Sequence, residues 1–399
     1  MPAEITIDGV IATPWLYRPD GMVLERLEWW TDVIPSFNGQ EQRIKLREFP
    51  RRSFEFGTLL TARERRSAEN LLHHWQARPF AVPVWMDSQT LSAGLTAGAT
   101  VIPIDTTTRD FAAGGWAGIA TGPHDFELAQ IDAVADDQLT LADPLASAWP
   151  AGAEVFPLRA CILPDEVRLS RFTGDTSYGR LRFECIGNSA WPAATGGTAY
   201  RGFPVLTQAP NWVEDVEQPY LRKLAILDAG TGGLFVDEQG SGAVLMQSHR
   251  WLLDGRTEID AFRRWLYARQ GRLASFWLPS FALDLRVVDV IDAADTTIDV
   301  EHCSYTDTVA EDIGRRDIRI ELHDGTTYFR RVTDCSVVSP EVERITINAA
   351  LGAEVEPDQI RSVSFCDLVR LDGDAVEIAW WRWDAAESRL MTRGSRNDL

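Results

Sequence analysis

The sequence predicts a β-rich α+β protein made of two tandem modules, each with one amphipathic helix and an inserted small β module. Three observations carry that prediction. A helix followed by a turn and an apolar strand near proline occurs twice, short alternating segments fill the rest of each half, and similar residues recur at nearly constant offsets. "ARPFAVPVWMDS" closes the first helical unit at Ala77 to Ser88, and "ARQGRLASFWLPS" the second at Ala268 to Ser280. Trp15 and Leu27 recur 197 residues on as Trp212 and Leu224. Arg78 and Trp85 recur 191 and 192 residues on as Arg269 and Trp277, and Val167 and Leu169 recur 202 on as Val369 and Leu371. Repetition of this kind suits a wall built of like units better than a single catalytic centre.

The elements follow in order. "RRSFEFGTLL" and "LMQSHRWLLD" are apolar segments that lead into helices. The first helix is expected over Ala62 to Trp75, with Ala68, Leu71, Leu72 and Trp75 forming one apolar stripe and Thr61 with Glu64 a capping box. The second is expected over Thr257 to Ala268, with Ile259, Phe262 and Leu266 as its stripe, Trp265 beside it and Asp254 as N-cap. A β insert is then expected in each half, over about 91–158 and 284–357. Asp324-Gly325 reads as a two-residue hairpin turn in the second insert, and "WAGIATGPHDFELAQI" as a longer, weaker turn in the first. Third strands follow in "DDQLTLADPL" and "VERITINAAL", and closing strands in the two V-R-L segments. The Gly/Ala/Pro-bearing stretch 188–204 reads as a linker, which divides the chain into modules 1–187 and 205–399.

Composition narrows the function. With 45% hydrophobic and 25% charged residues the chain is globular, and 59 acidic against 39 basic residues give a formal charge of -20, which disfavours tight nucleic-acid binding. Cys161, Cys185, Cys303, Cys335 and Cys366 form no C-x-x-C pair and read as reduced thiols. The N-terminal stretch lacks the basic and apolar regions of a secretory signal, and no apolar run is long enough for a membrane span, so no membrane insertion is expected.

Candidate chemistry is sparse. There is no G-x-S-x-G, Walker A or H-E-x-x-H motif, so no catalytic, cofactor or metal residues are expected. His73 and His74 are adjacent on a helix, point roughly 100° apart, and read as surface histidines. Asp372 and Asp374 in "LDGDAVE" read as a hairpin turn rather than a carboxylate site. Strand alternation puts Trp381 and Trp383 on one face and Trp380 on the other; exposed aromatics beside carboxylates would suit sugar binding, whereas sheet or subunit packing needs no ligand. Core or interface positions are expected at Trp75, Trp85, Phe262, Leu266, Phe276, Trp277, Trp380, Trp381 and Trp383. The short basic runs "REFPRRSF" and "RERRS" read as salt-bridge partners between subunits.

The assembled pattern resembles the distal-tail and tail-tip (baseplate) proteins of long-tailed bacteriophages. Arg269, Gly271, Phe276 and Trp277 carry the resemblance most specifically; the first copy departs from it, with Pro79 and Phe80 at the turn and Val84 before Trp85. The resemblance implies a tail-tube-like β-sandwich or barrel with a flanking helix, assembled in the host bacterial cytoplasm into a virion ring around a DNA-conducting lumen. Tandem modules could close such a ring with three copies in pseudo-six-fold symmetry, or with six. Implied neighbours are the tail tube protein, the tail hub, the tape measure and fibres. A receptor- or glycan-binding tail module is the alternative, and a tail-associated cell-wall hydrolase a more distant one.

Overall fold

The computed structural model describes residues 4–36, 40–213, 216, 219–222, 224–238, 244–310 and 312–395. The protein is β-rich α+β: large antiparallel sheets carry two 14-residue helices, α1 (Ala62–Trp75) and α2 (Arg256–Arg269). Each helix follows a long strand directly. In the first half that strand is Arg51–Thr61, which lies between Val23–Glu28 and Thr176–Cys185. Thr176–Cys185 meets Glu154–Ile162, which meets Phe80–Pro83, and this last strand pairs in parallel with Val10–Pro14. The second half repeats the order. Val244–Asp254 lies between Tyr220–Leu221 and Ala385–Gly394; Ile360–Leu371 and Phe276–Pro279 follow, and Trp277 makes a parallel bridge to Val205.

The inserts also match in connectivity. Trp116–Gly122 pairs with Glu154–Ile162 and Asp125–Ala135, and Gln138–Leu141 joins the latter to Val101–Pro103. Asp317–Leu322, Thr327–Ser339, Val342–Ile347 and Thr297–Glu301 are linked in the same way, starting from Ile360–Leu371. Each insert has its own apolar core, one around Ile102, Ile119 and Leu139 and one around Ile298, Ile318 and Ile345. The main core is different: a single cluster runs from Trp15, Phe54, Leu72 and Phe183 through Leu27 and Val376 to Trp251, Phe262 and Leu266. Both helices therefore bury their stripes into one continuous apolar body.

Register corrects the sequence-based equivalences. Leu27 faces Arg52 as Tyr220 faces Leu245, and Thr31 faces Lys45 as Leu224 faces Glu238, so Leu27 matches Tyr220, and Leu224 matches Thr31. Phe80–Pro83 and Phe276–Pro279 occupy the same place, which matches Trp277 to Ala81 rather than to Trp85. Leu169 faces Gly179 as Ile378 faces Ser388, and Cys161 faces Cys185 as Val369 faces Gly394; the two V-R-L segments are not counterparts. The physical reason is the two-residue repeat of a strand, which makes slipped alignments look equally alternating.

Local expectations change in the same way. Thr61 is the N-cap of α1 but makes no side-chain capping bond, and the N-cap of α2 is Gly255, not Asp254. The tight two-residue turn belongs to the first insert, where Gly122 pairs with Asp125 around Pro123-His124. In the second, Leu322 N donates to Thr326 O and Gly325 has φ +88°, which makes a three-residue loop with glycine in the left-handed region. Asp372 to Asp374 do not turn a hairpin, because Ala385–Gly394 lies between the two strands they connect.

The 188–204 stretch is not a free linker. Trp191 Nε1 donates to Asp260 at 3.0 Å, Ala194 N to Arg264 O at 2.8 Å, and Tyr200 Oη to Asp317 at 2.6 Å.

Candidate functional site

The first half's Val23–Glu28 strand pairs antiparallel with the second half's Ala375–Arg382 strand, in register from Ala375 opposite Glu28 to Trp380 opposite Val23. This seam makes one sheet of two halves. Alternation turns Val23, Glu25 and Leu27, with Val376, Ile378 and Trp380, inward, and all six are buried. Five are apolar or aromatic and need only packing. Glu25 is a carboxylate in the core and needs partners.

The partners come from both halves. Glu25 accepts from Arg52 Nε at 2.6 Å, from Trp380 Nε1 at 2.9 Å and from Arg263 of α2. Arg52 also donates to Asp110 in the first insert, which accepts from Arg159 Nε at 3.0 Å. Asp110 N donates to Asp87 at 3.0 Å, and Asp87 accepts from Arg256 at the start of α2 at 2.6 Å. Cation–π contacts reinforce the chain, with Arg263 4.6 Å from the Trp191 ring and Arg256 5.4 Å from the Trp380 ring. Burial works to raise the pKa of Glu25, but the charges of Arg263 and Arg52 overcome it and hold the carboxyl below its ordinary value. Asp110 is depressed in the same way: burial opposes ionisation, and Arg159 and Arg52 outweigh it. Both acids are held as carboxylates: Glu25 clamps an arginine of each half, and Asp110 clamps Arg52 and Arg159 of the first.

At the other end of the strand pair, Asp374 caps the loops. Its carboxylate accepts from Thr31 N at 2.8 Å and from Arg272 N and Nε at 3.0 and 3.1 Å. Burial works to raise its pKa, and these hydrogen bonds pull it below the usual range. This explains Gly271. Its φ is +65°, and a Cβ there would sit 2.5 Å from Asp374 Oδ1.

A cleft of about 200 Å³ opens beside the seam, lined by Arg18, Trp85, Glu154, Trp380, Trp381 and Trp383. Trp381 and Trp383 are 48% and 50% exposed, while Trp380 is buried. Arg18 pairs with Glu154 at 2.5 Å; burial raises the Glu154 pKa, and Arg18 only partly offsets this. Of the other expected core or interface residues, Trp75, Phe262, Leu266, Phe276 and Trp277 are buried, and Trp85 is partly buried against the Phe156 ring at 5.3 Å. His73 and His74 are exposed on the last turn of α1. The basic runs find partners within the chain: Arg52 as above, Arg65 with Glu69 at 2.8 Å, and Arg66 with Asp175 at 3.0 Å.

Sequence reasoning missed Glu25, Arg52, Asp110, Arg159 and Arg263, and also the apposition of Cys161 and Cys185, whose sulfurs lie 3.4 Å apart as free thiols. Among the described residues, no three His, Cys, Asp or Glu side chains are grouped to hold a metal, and no helix is long and apolar enough to cross a membrane. Fold and seam define a β-rich α+β protein whose two halves share one sheet and one core. In comparisons with known proteins, no family model and no curated protein matches the chain.

Proposed function

We propose that this protein is a structural component of the tail tip or baseplate of a long-tailed bacteriophage. In this reading it consists of two tandem tube-like modules that form part of a ring around a DNA-conducting lumen, between the tail tube and the hub or fibre proteins. The seam is the observation that carries the proposal. An edge strand of one half is completed by an edge strand of the other, with apolar side chains and a charge clamp buried beneath, and lateral strand addition between like units is how a tubular wall grows without open edges. The charge of -20 supports a conduit that lets phosphate pass without holding it. The ring contains three or six copies, assembled in the host cytoplasm and carried in the virion.

The test is particle imaging and mass measurement on tails and on the purified chain. An annular particle of about 134 kDa for three copies, or about 268 kDa for six, is expected from 44.6 kDa per chain. Absence of the protein from virions would end this reading.

Exposed Trp381 and Trp383 in a cleft with Glu154 favour a second reading, a receptor- or glycan-binding module. A glycan array separates the two. Binding that disappears in W381A/W383A supports the second reading, and a blank array supports the first.

A further inference from the structure

Inside the chain, Ala375–Arg382 has a neighbour on each edge, Ala385–Gly394 on one and Val23–Glu28 on the other. Its counterpart in the first half is Leu169–Arg171, which pairs with Thr176–Cys185 alone among the described residues. The counterpart of Val23–Glu28 is Tyr220–Leu221, which among the described residues pairs with Val244–Asp254 alone. One chain thus holds a completed seam together with the two separate sides of a second one.

The surroundings of these edges also correspond. In the completed seam, α2 leans on the docked strand: Arg263 binds Glu25, and the Tyr267 ring meets that of Trp29 at 5.6 Å. Glu69 and His73 hold the same positions, eighth and twelfth, in the equally long α1. They line an open cleft of about 480 Å³ with Gln76, Val167, Leu169 and Arg171. The cleft lies where the docked strand lies under α2. Apolar side chains at the two edges are uncovered to match. Tyr220 is 61% exposed where its counterpart Leu27 is fully buried, and Val167 is half-buried where the buried Val376 sits in the seam.

We propose that a second copy of this chain docks its Tyr220–Leu221 edge into this cleft. The incoming Tyr220–Leu221 pair runs antiparallel to the chain at Val167 in the register of the internal seam, with Val167 opposite Tyr220 as Val376 is opposite Leu27. Each copy offers one edge and receives one, so the contact is head to tail and closes into a ring when the rotation permits. The proposal rests on the ring reading above and names the surfaces that ring would use.

Cysteine cross-linking of the full chain tests it, in a background where the exposed Cys303 and the half-buried Cys335 are serine. V167C and Y220C are made as two separate variants, mixed and mildly oxidised. Residues directly opposite on antiparallel strands lie close enough for a disulfide. A covalent dimer that forms from the mixture but from neither variant alone is expected, and the double variant should give a ladder ending in a closed species. An oligomer of unchanged size without the cross-link overturns the edge assignment and leaves the ring reading standing. A ladder that grows without closing upholds the edge pairing and overturns the ring. A chain that stays monomeric and unlinked at high concentration overturns the docking proposal, and tail composition then judges the ring reading separately.

Discussion

α1 and α2 have the same length and follow their strands at corresponding places, yet α1 buries Ala68, Leu72 and Trp75 while α2 buries twice as many side chains. The apolar stripes are alike; the surplus on α2 includes Asp260, Arg263 and Tyr267. Each of these is covered by something from outside the second half's own sheet. Trp191 reaches Asp260, Glu25 reaches Arg263, and the Ser189 carbonyl accepts from Tyr267 Oη at 2.7 Å. The lesson is that this difference between the helices follows what lies beside each: the docked edge strand and the 188–204 stretch both cover α2. α2 has an edge strand beneath it, and the same side of α1 faces the open cleft.

Two glutamates, Glu25 beneath α2 and Glu69 on α1, offer the sharpest way to break that comparison. Glu25→Ala leaves Arg52 and Arg263 buried without their carboxylate, and losing one member of such a network costs about 3–5 kcal/mol. Glu69→Ala removes a partly exposed partner of Arg65 and Arg171 and should cost under about 1 kcal/mol in the monomer. Urea unfolding of both variants checks this. Equal losses would mean that α1 is as enclosed as α2. Acid should act through the same groups. The folded pKa values of Glu25 and Asp110 lie below their unfolded values, so their stabilisation is present above the ordinary carboxylate range and is lost as pH falls through the folded values.

Apolar positions give a somewhat smaller contrast. Leu266→Ala, in the closed core, is expected to cost about 2–5 kcal/mol, and Leu169→Ala, at the open edge, under about 1.5 kcal/mol. Exchanging His73 and His74 together should do little to folding, since both are exposed. A Leu169→Ala loss as large as that of Leu266→Ala would show that the edge is already covered.

One pair of counterparts differs in titration. His249 faces Leu390 as Phe56 faces Leu181, so a histidine in the second half stands where the first half has phenylalanine. Burial lowers the His249 pKa to about 4. A histidine depressed in the folded state binds its proton more readily when unfolded, so stability should decline as pH falls from about 6.5 toward 4. His249→Phe should abolish that decline and leave the carboxylate-driven loss at lower pH. An unchanged profile between pH 6.5 and 4 would show that His249 is not enclosed as Phe56 is.

How much of this was legible in sequence depends on range. The helices and insert strands were readable because Ala68, Leu72, Phe262 and Leu266, or the alternating run around Ile345, announce their faces locally. Glu25, Arg52, Asp110, Arg159 and Arg263 each read as an ordinary surface charge until the sheet brings them together. The seam joins residues such as Arg26 and Glu377, 351 positions apart, and no local period encodes that pairing. Register failed for the same reason, since Val369 and Leu371 alternate as convincingly as Val167 and Leu169 while sitting on a different strand.

The smallest expected effect lies where the two long strands turn into helix. The second half places its positive φ on glycine, with Gly255 at +85°, whereas the first half places one on Ala62, at +46°. A left-handed conformation strains an alanine by roughly 1–2 kcal/mol, and glycine adopts it freely. Glycine also gives the unfolded chain more freedom, which returns part of that gain. Ala62→Gly should therefore stabilise the chain slightly, by a few tenths to about 1 kcal/mol, seen as a higher urea midpoint at unchanged slope. Thr61→Ala should be nearly neutral because Thr61 makes no capping bond. A clear loss on Ala62→Gly would mean that the Ala62 methyl packs in a way Gly255 has no need of, and that the helix entries, unlike the strands behind them, are not built alike.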